Sequence, residues 1–422
     1  MHRITTIIGA GAILDFDFGN RPKPTSQRML DVMLGKHQCI GDSNCQFINN
    51  IYTQIIEAAR LTYEKSSITI FPDSFYEPHI TFEDLFDTLE TMMSYAVAWT
   101  DDRQKLKPYV AGLIRPIKMH QYGNYYSALR YALLVIMNEV KNYDQPFRKN
   151  NDSEIWYRQF WREFKGRTDI FNLNYDTTIE KSLGADFEDG FVPYDNTLMR
   201  FVPSALMENK RNVSTVNHLH GCILYTDIPP LHSHIKNYTK HDLFKYITYP
   251  VLDNINYFNI PYSQSGGALV YSPIIMGLHK TDKICYIPQN YYHANLTNCI
   301  LRNSSILIVG YSFGDIYLNQ LLQQHQLIHM DKQRMIIIDY WSEVDKSGVV
   351  YYHYKHTSNI YFQHFIESII HINGFQLQKY LESLKPIHEH CYDITPNLRI
   401  YTSGFKESVQ KYQSEIFEYL AM

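Results

Sequence analysis

Four short segments place small, polar or ionisable residues at the carboxyl ends of apolar runs, where they could do chemistry. In Gly9-Ala10-Gly11, between the run Ile4 to Ile8 and Ala12-Ile13-Leu14, small residues let backbone amides approach an anion at a helix start. Phosphate is the natural ligand, although a plain tight turn has the same pattern. A dinucleotide-dehydrogenase fingerprint would add a third glycine and an acid roughly 20 positions on, and neither stands where required. Asn174-Tyr175-Asp176, inside the segment 172–178, sets an amide and a carboxylate two residues apart at a predicted strand end, suited to a ligand or to an Asx turn capping the helix with Ile179 and Leu183. In Asn217-His218-Leu219-His220-Gly221, His220 stands at a strand end with room beside it at the glycine. It suits a general base or a hydrogen-bonded core histidine, while His218, two residues back on the same strand, reads as structural. The buried run Ile306 to Val309 leads into Gly310-Tyr311-Ser312-Phe313-Gly314-Asp315, a loop able to hold a ribose or a phosphate, or simply to join strand to helix.

The elements that must position these segments follow from periodicity. Short apolar runs at Ile4 to Ile8, Thr168 to Leu173, Val216 to Leu219, Ala268 to Met276, Ser305 to Val309 and Met335 to Ile338 predict buried parallel strands. Between about 45 and 165 the period becomes helical. Thr81 with Asp84 has capping-box spacing, followed by Phe82, Leu85, Phe86, Leu89 and Met93 on one face. Leu129, Leu133, Met137 and Val140 repeat that spacing, as do Trp156, Phe160 and Phe164, and these stripes read as core surfaces. The Tyr- and Asn-rich stretch from about 225 to 265 reads as irregular with some helix. The expected fold is α/β: a Rossmann-like parallel sheet with helices on both faces plus a helical insertion. Residues 1–340 form the expected catalytic domain with the insertion at about 45–165, and 341–422 a mixed α/β extension suited to oligomer or partner contacts.

A formal net charge of -4, from 39 basic and 43 acidic residues, leaves no footprint for nucleic acid or an anionic membrane. Cys39, Cys45, Cys222, Cys285, Cys299 and Cys391 are scattered without a C-x-x-C pair, which suits buried thiols in a reducing cytoplasm. The pairs His232/His234 and His325/His329 have ligand spacing, but no carboxylate or cysteine pattern completes them, and no metal is expected. Arg3 and the stretch Ile4 to Leu14 superficially resemble a signal peptide. Two threonines and two glycines interrupt the stretch, and Asp15 and Asp17 follow it directly. No later run reaches the roughly 18 apolar residues of a membrane span.

In this order and at these strand ends, the four segments resemble the sirtuin-like superfamily, specifically its bacterial defence-associated branch lacking the zinc module, over about residues 1–330. Gly9-Ala10-Gly11 looks like the family's phosphate-binding turn, and Asn174-Tyr175-Asp176 like its asparagine-aliphatic-aspartate motif with tyrosine in the middle. His220-Gly221 matches the catalytic histidine-glycine, and Gly310-Tyr311-Ser312 with Asp315 is similar to the glycine-tyrosine-serine loop of the defence branch. The zinc-binding cysteines of protein-deacylating sirtuins are absent after His220, and Asp15-Phe16-Asp17-Phe18 stands where deacylases carry proline-aspartate-phenylalanine-arginine. The resemblance therefore implies an NAD glycohydrolase producing ADP-ribose and nicotinamide, with NAD as substrate and no metal. It implies that Asn174 holds the ribose or attacking water, Asp176 the carboxamide, and that His220 accepts a proton. Gly9, Ala10, Gly11, Asp15, Tyr175, Gly310, Tyr311, Ser312 and Asp315 would grip the dinucleotide. A sensor or assembly subunit that binds NAD or ADP-ribose without turnover is the alternative, as is a protein deacylase or ADP-ribosyltransferase. The resemblance further implies a cytoplasmic homo-oligomer activated by a HerA-type ATPase, or by an Argonaute-like protein, in anti-phage defence.

Overall fold

A computed structural model describes residues 3–36, 42–65, 80–98, 122–147, 154–207, 213–227, 243–249, 272–277, 283–284, 287–340, 357–370, 380 and 383–420. Along the chain, β1 (Ile4–Ile8) is followed by α1 (Ser26–Met33), α2 (Ser43–Lys65), α3 (Phe82–Ala98), α4 (Tyr122–Asp144) and α5 (Ile155–Glu163). Next come β2 (Thr168–Asn172), α6 (Thr178–Leu183), β3 (Phe187–Glu188), β4 (Phe191–Pro193), β5 (Leu198–Phe201), α7 (Pro203–Met207) and β6 (Ser214–His218). Then follow β7 (Tyr225–Asp227), β8 (Leu243–Tyr246), α8 (Gln289–Arg302), β9 (Ser305–Val309), α9 (Ile316–His329) and β10 (Arg334–Ile338). The chain closes with α10 (Thr357–Ile370), β11 (Cys391–Thr395), β12 (Leu398–Tyr401) and α11 (Phe405–Tyr419).

Two compact units share these elements. The first comprises Met1–Arg21, Asp144–Cys222 and Ile287–Met422. Its sheet has the order β11-β12-β10-β9-β1-β2-β6-β3. Among the described strands of this sheet only β11 runs antiparallel, on the outer edge of β12. Strands β1 and β9 are buried at every position, the pattern of parallel strands covered on both faces, which is why Ile4 to Ile8 and Ile306 to Val309 read as apolar or β-branched runs. Helices flank the sheet, giving the α/β, Rossmann-like architecture expected. α8 lies against β2 and β6 and leads to α9 and α10, while α11 packs on β10 and on α5, itself packed on α6. Phe405 of α11 meets the rings of Trp156, Tyr157 and Phe160 edge-on at 5.3, 5.7 and 5.2 Å, so aromatic packing secures the end of the chain to α5. The run that superficially suggested a signal peptide supplies a central strand, and Arg3 before it forms a bidentate pair with Asp169 at 2.6 and 3.0 Å.

The second unit comprises Pro22–Tyr143 and Ile223–Tyr286 and holds α1 to α4 with β7 and β8. Its α3 begins with the expected capping box: the Asp84 amide donates to Thr81 Oγ1 at 3.2 Å, and the Thr81 amide to Asp84 Oδ2 at 2.8 Å. Leu85, Phe86, Leu89 and Met93 are buried, as are Leu129, Leu133, Met137 and Val140 of α4. The strand expected over Ala268 to Met276 is corrected in part. Residues 268–271 lie outside the described residues, and 272–277 form no strand. There the Ser272 hydroxyl bonds to the Ile274 carbonyl, a local turn that competes with a ladder. No helix among the described residues is long and apolar enough to cross a membrane.

Candidate active site at the carboxyl edge of the sheet

Strands β9, β1, β2 and β6 end level with one another. Ile8 pairs in register with Val309 on one side and Asn172 on the other, and Asn172 pairs with His218. The ladder runs one residue further, through Gly9 to Val309, Leu173 to Ile8 and Leu219 to Asn172. All four segments singled out by sequence therefore leave the sheet at one edge. The strand order also reverses there: the chain runs from β1 to β2 and β6 on one side, then returns to β9 on the other, the kind of switch point where open parallel sheets bind ligands.

At the switch the two glycine loops touch backbone to backbone. A Cβ on Gly9 would stand 2.4 Å from the Gly310 carbonyl oxygen, and one on Gly310, whose φ is +60°, would stand 2.2 Å from the Ala12 nitrogen. The Gly9 and Gly11 amides donate to Val309 and Gly310, both at 2.9 Å, and those of Ala12 and Leu14 close a 3-10 turn. The glycines thus serve the approach of two loops, with Ala10 exposed at the apex. Asn174 joins the same group: its Nδ2 donates to the Gly9 carbonyl at 3.1 Å, and its amide to Asn172 Oδ1 at 3.0 Å. The Asn172 Nδ2 is buried without a partner.

β9 and β6 stand three strand spacings apart, ~14 Å. The 310–315 loop nevertheless brings Asp315 Oδ2 to 3.5 Å from His220 Nε2. Asp315 is fixed by its role as N-cap of α9, accepting from the Leu318 amide at 3.1 Å. Tyr311 braces the loop from within, its hydroxyl accepting from the Asp315 amide at 3.1 Å and lying 3.0 Å from Asn319 Oδ1. Burial, then the Asp315 charge, pushes the Tyr311 phenol well up, so it stays protonated. Phe313 takes φ +59° to bury its ring against Phe362 and Phe365, which leaves Ser312 exposed beside it.

Sequence reasoning missed His293. It sits on α8, 6% exposed, with neither ring nitrogen hydrogen-bonded. Burial and the neighbouring His220 push it down to about 4, opposed by Asp315 and by the Leu219 backbone, which lies close without meeting hydrogen-bond geometry. It is therefore neutral at pH 7. The His293 ring nitrogens and the Asn172 Nδ2, unpartnered at one edge, are what a polar ligand would satisfy.

Asp176 and Asp15 face other tasks. Asp176 is fully buried, and its Oδ1 accepts from the Thr178 amide at 3.0 Å and hydroxyl at 2.6 Å, starting α6. Burial, followed by the charges of Asp144 and Glu180, pushes it up to about 6. A carboxyl raised above its ordinary 3.8 favours the folded chain at low pH, and this contribution is lost as pH rises through about 6. Between pH 4 and 6 the melting temperature of Asp176→Asn, which keeps an acceptor for Thr178, should follow a more upward slope than that of the parent chain. An unchanged slope would contradict that assignment. Asp15 Oδ2 accepts from the Lys406 amide at 3.0 Å, supplying α11 with the cap that Gly404 lacks. Asp15→Ala should cost ~1 kcal/mol in denaturant unfolding.

Tyr175 is buried. The pair His325 and His329 places its rings 4.5 Å apart, but each Nε2 bonds a backbone carbonyl, Asn303 at 2.8 Å and Ile300 at 2.9 Å. His232 and His234 lie outside the described residues. Cys45, Cys222, Cys299 and Cys391 are buried.

Residues 168–360 match the model of the SIR2-like domain, a span that includes Asn174, His220 and Asp315 and excludes Gly9 to Gly11. Two solved structures of a Sir2 homologue, mutant forms complexed with ADP-ribose, are each 12% identical with a TM-score of 0.28. They cover 58% of this chain and 77% and 78% of their own. No curated protein matches the chain.

Proposed function

We propose that the chain binds NAD at the carboxyl edge of the first unit's sheet and hydrolyses its nicotinamide–ribose bond, releasing ADP-ribose and nicotinamide. The observation that carries this reading is the convergence of Asn174, His220 and Asp315 beside the Gly9 and Gly310 loops. The match to a SIR2-like domain supports it. Breaking the glycosidic bond builds positive charge on the ribose, so the site must orient the sugar, stabilise that charge and activate water. Asn174 holds the ribose or the attacking water. His220 takes the proton as water adds to the anomeric carbon, a role typically worth ~10²- to 10⁴-fold in rate. Asp315, 3.5 Å from His220, stabilises the resulting imidazolium. Gly9, Ala10 and Gly11 with Gly310, Tyr311 and Ser312 enclose the phosphates and ribose, and His293 offers a neutral hydrogen-bonding edge. Tyr175 completes the wall, and Asp15 acts at a distance by capping α11. Asp176, bound to Thr178, acts by fixing the loop that carries Asn174.

The chain acts as an NAD-depleting effector of anti-phage defence, held as a cytoplasmic homo-oligomer through residues 341–422 and released by a HerA-type ATPase. Co-expression with such an ATPase should yield a co-purifying complex, with an Argonaute-like protein as the second partner to try. Chromatography of NAD incubated with the complex should show nicotinamide and ADP-ribose in equal amounts. Saturable NAD binding by calorimetry without product would favour a sensor, and loss of acyl groups from a peptide would favour a deacylase.

A further inference from the structure

Glu180 of α6, His218 at the end of β6 and Cys222 just beyond His220 form a buried cluster that the cleavage chemistry leaves unused. Their donor atoms all lie within 4.8 Å of one another. His218 Nδ1 stands 3.3 Å from the Asn174 carbonyl, which can only accept, so Nδ1 carries a proton. Nε2 then points its remaining site at Glu180 Oε1, 2.7 Å away. A neutral imidazole and a carboxylate would oppose lone pairs there, so something positive stands between them: a proton or a metal ion.

We propose that this cluster binds a divalent metal ion of the zinc class through Glu180 Oε, His218 Nε2 and Cys222 Sγ. Carboxylate, imidazole and thiolate together suit zinc or cobalt and not the all-oxygen shells of magnesium or calcium. The outer arrangement is also that of a metal-bound histidine, whose second ring N–H is held by a backbone carbonyl. Charge balances as well. Binding displaces the proton shared by His218 and Glu180 and the thiol proton of Cys222, so a dication exchanges for two protons and the buried cluster stays neutral. Such an ion would tie α6 to β6 and to the Gly221 turn, holding the loop that presents His220, so its role is structural and independent of how NAD is processed.

The test uses the full chain, stripped with a chelator and titrated with Co²⁺. A thiolate-to-cobalt absorption band should grow and saturate at about one ion per chain, and a zinc titration at pH 7 should release about two protons. Cys222→Ser should abolish the band, Glu180→Gln should weaken Co²⁺ binding at least ~10-fold, and His220→Ala should leave both unchanged. Should Cys222→Ser fail to fold, the parent titration decides. A parent chain showing no cobalt–thiolate band, or a band that survives Cys222→Ser, overturns the proposal.

Discussion

Asn174→Ala should lower NAD turnover by ~10²-fold or more, because in the proposed reaction the residue orients ribose or water and in the fold it fastens the loops beside them. Its side chain bonds the Gly9 carbonyl at 3.1 Å, and its own carbonyl lies 3.3 Å from His218 Nδ1. One residue thereby links the carboxyl ends of β1, β2 and β6. Truncation leaves His220 and Asp315 in place but frees the first glycine turn and removes the group that orients ribose or water. Single-turnover measurement of nicotinamide release separates this loss from weaker binding: the chemical step should slow far more than the dissociation constant rises. A rise in the dissociation constant with the chemical step unchanged would make Asn174 a binding residue only.

Gly310→Ala should unfold the chain at markedly lower temperature, by ~3 kcal/mol or more. The residue holds φ +60°, and an added methyl carbon would stand 2.2 Å from the Ala12 nitrogen and 2.4 Å from the Gly11 carbonyl carbon. Both neighbours are backbone of a turn closed by its own hydrogen bonds, so neither side can yield cheaply. Gly314→Ala in the same loop is the control, since the nearest atom to its added carbon is Ser312 Oγ at 3.6 Å. Thermal unfolding of the two variants should differ sharply, and a mild effect at Gly310 would show that the two loops can separate.

The central strands were legible because parallel strands buried on both faces are mostly apolar or β-branched, as Ile4 to Ile8 and Ile306 to Val309 are. The Thr81–Asp84 capping box was legible because its chemistry is local. Long-range partners were not. Nothing near Asp15 announces that its carboxylate caps a helix starting at 405, and nothing around His293 distinguishes it from an exposed helical histidine until α8 is laid against β2 and β6. Gly9 and Gly310 were recognisable as a loop-forming set, but their shared reason, the contact of two backbones, depends on strand order. The same holds for Glu180, His218 and Cys222, whose spacing matches no metal motif and whose meeting requires the fold.

In the proposed reaction His220 drives cleavage of NAD at this sheet edge. The most direct test compares the parent chain with His220→Ala, each co-expressed with its activating partner, by chromatography of NAD products alongside calorimetry of NAD binding. The parent chain should release nicotinamide and ADP-ribose, while His220→Ala should still bind NAD and release them ~10²- to 10⁴-fold more slowly. Nicotinamide release at the parent rate from His220→Ala, or none from the parent chain, would contradict the proposed reaction.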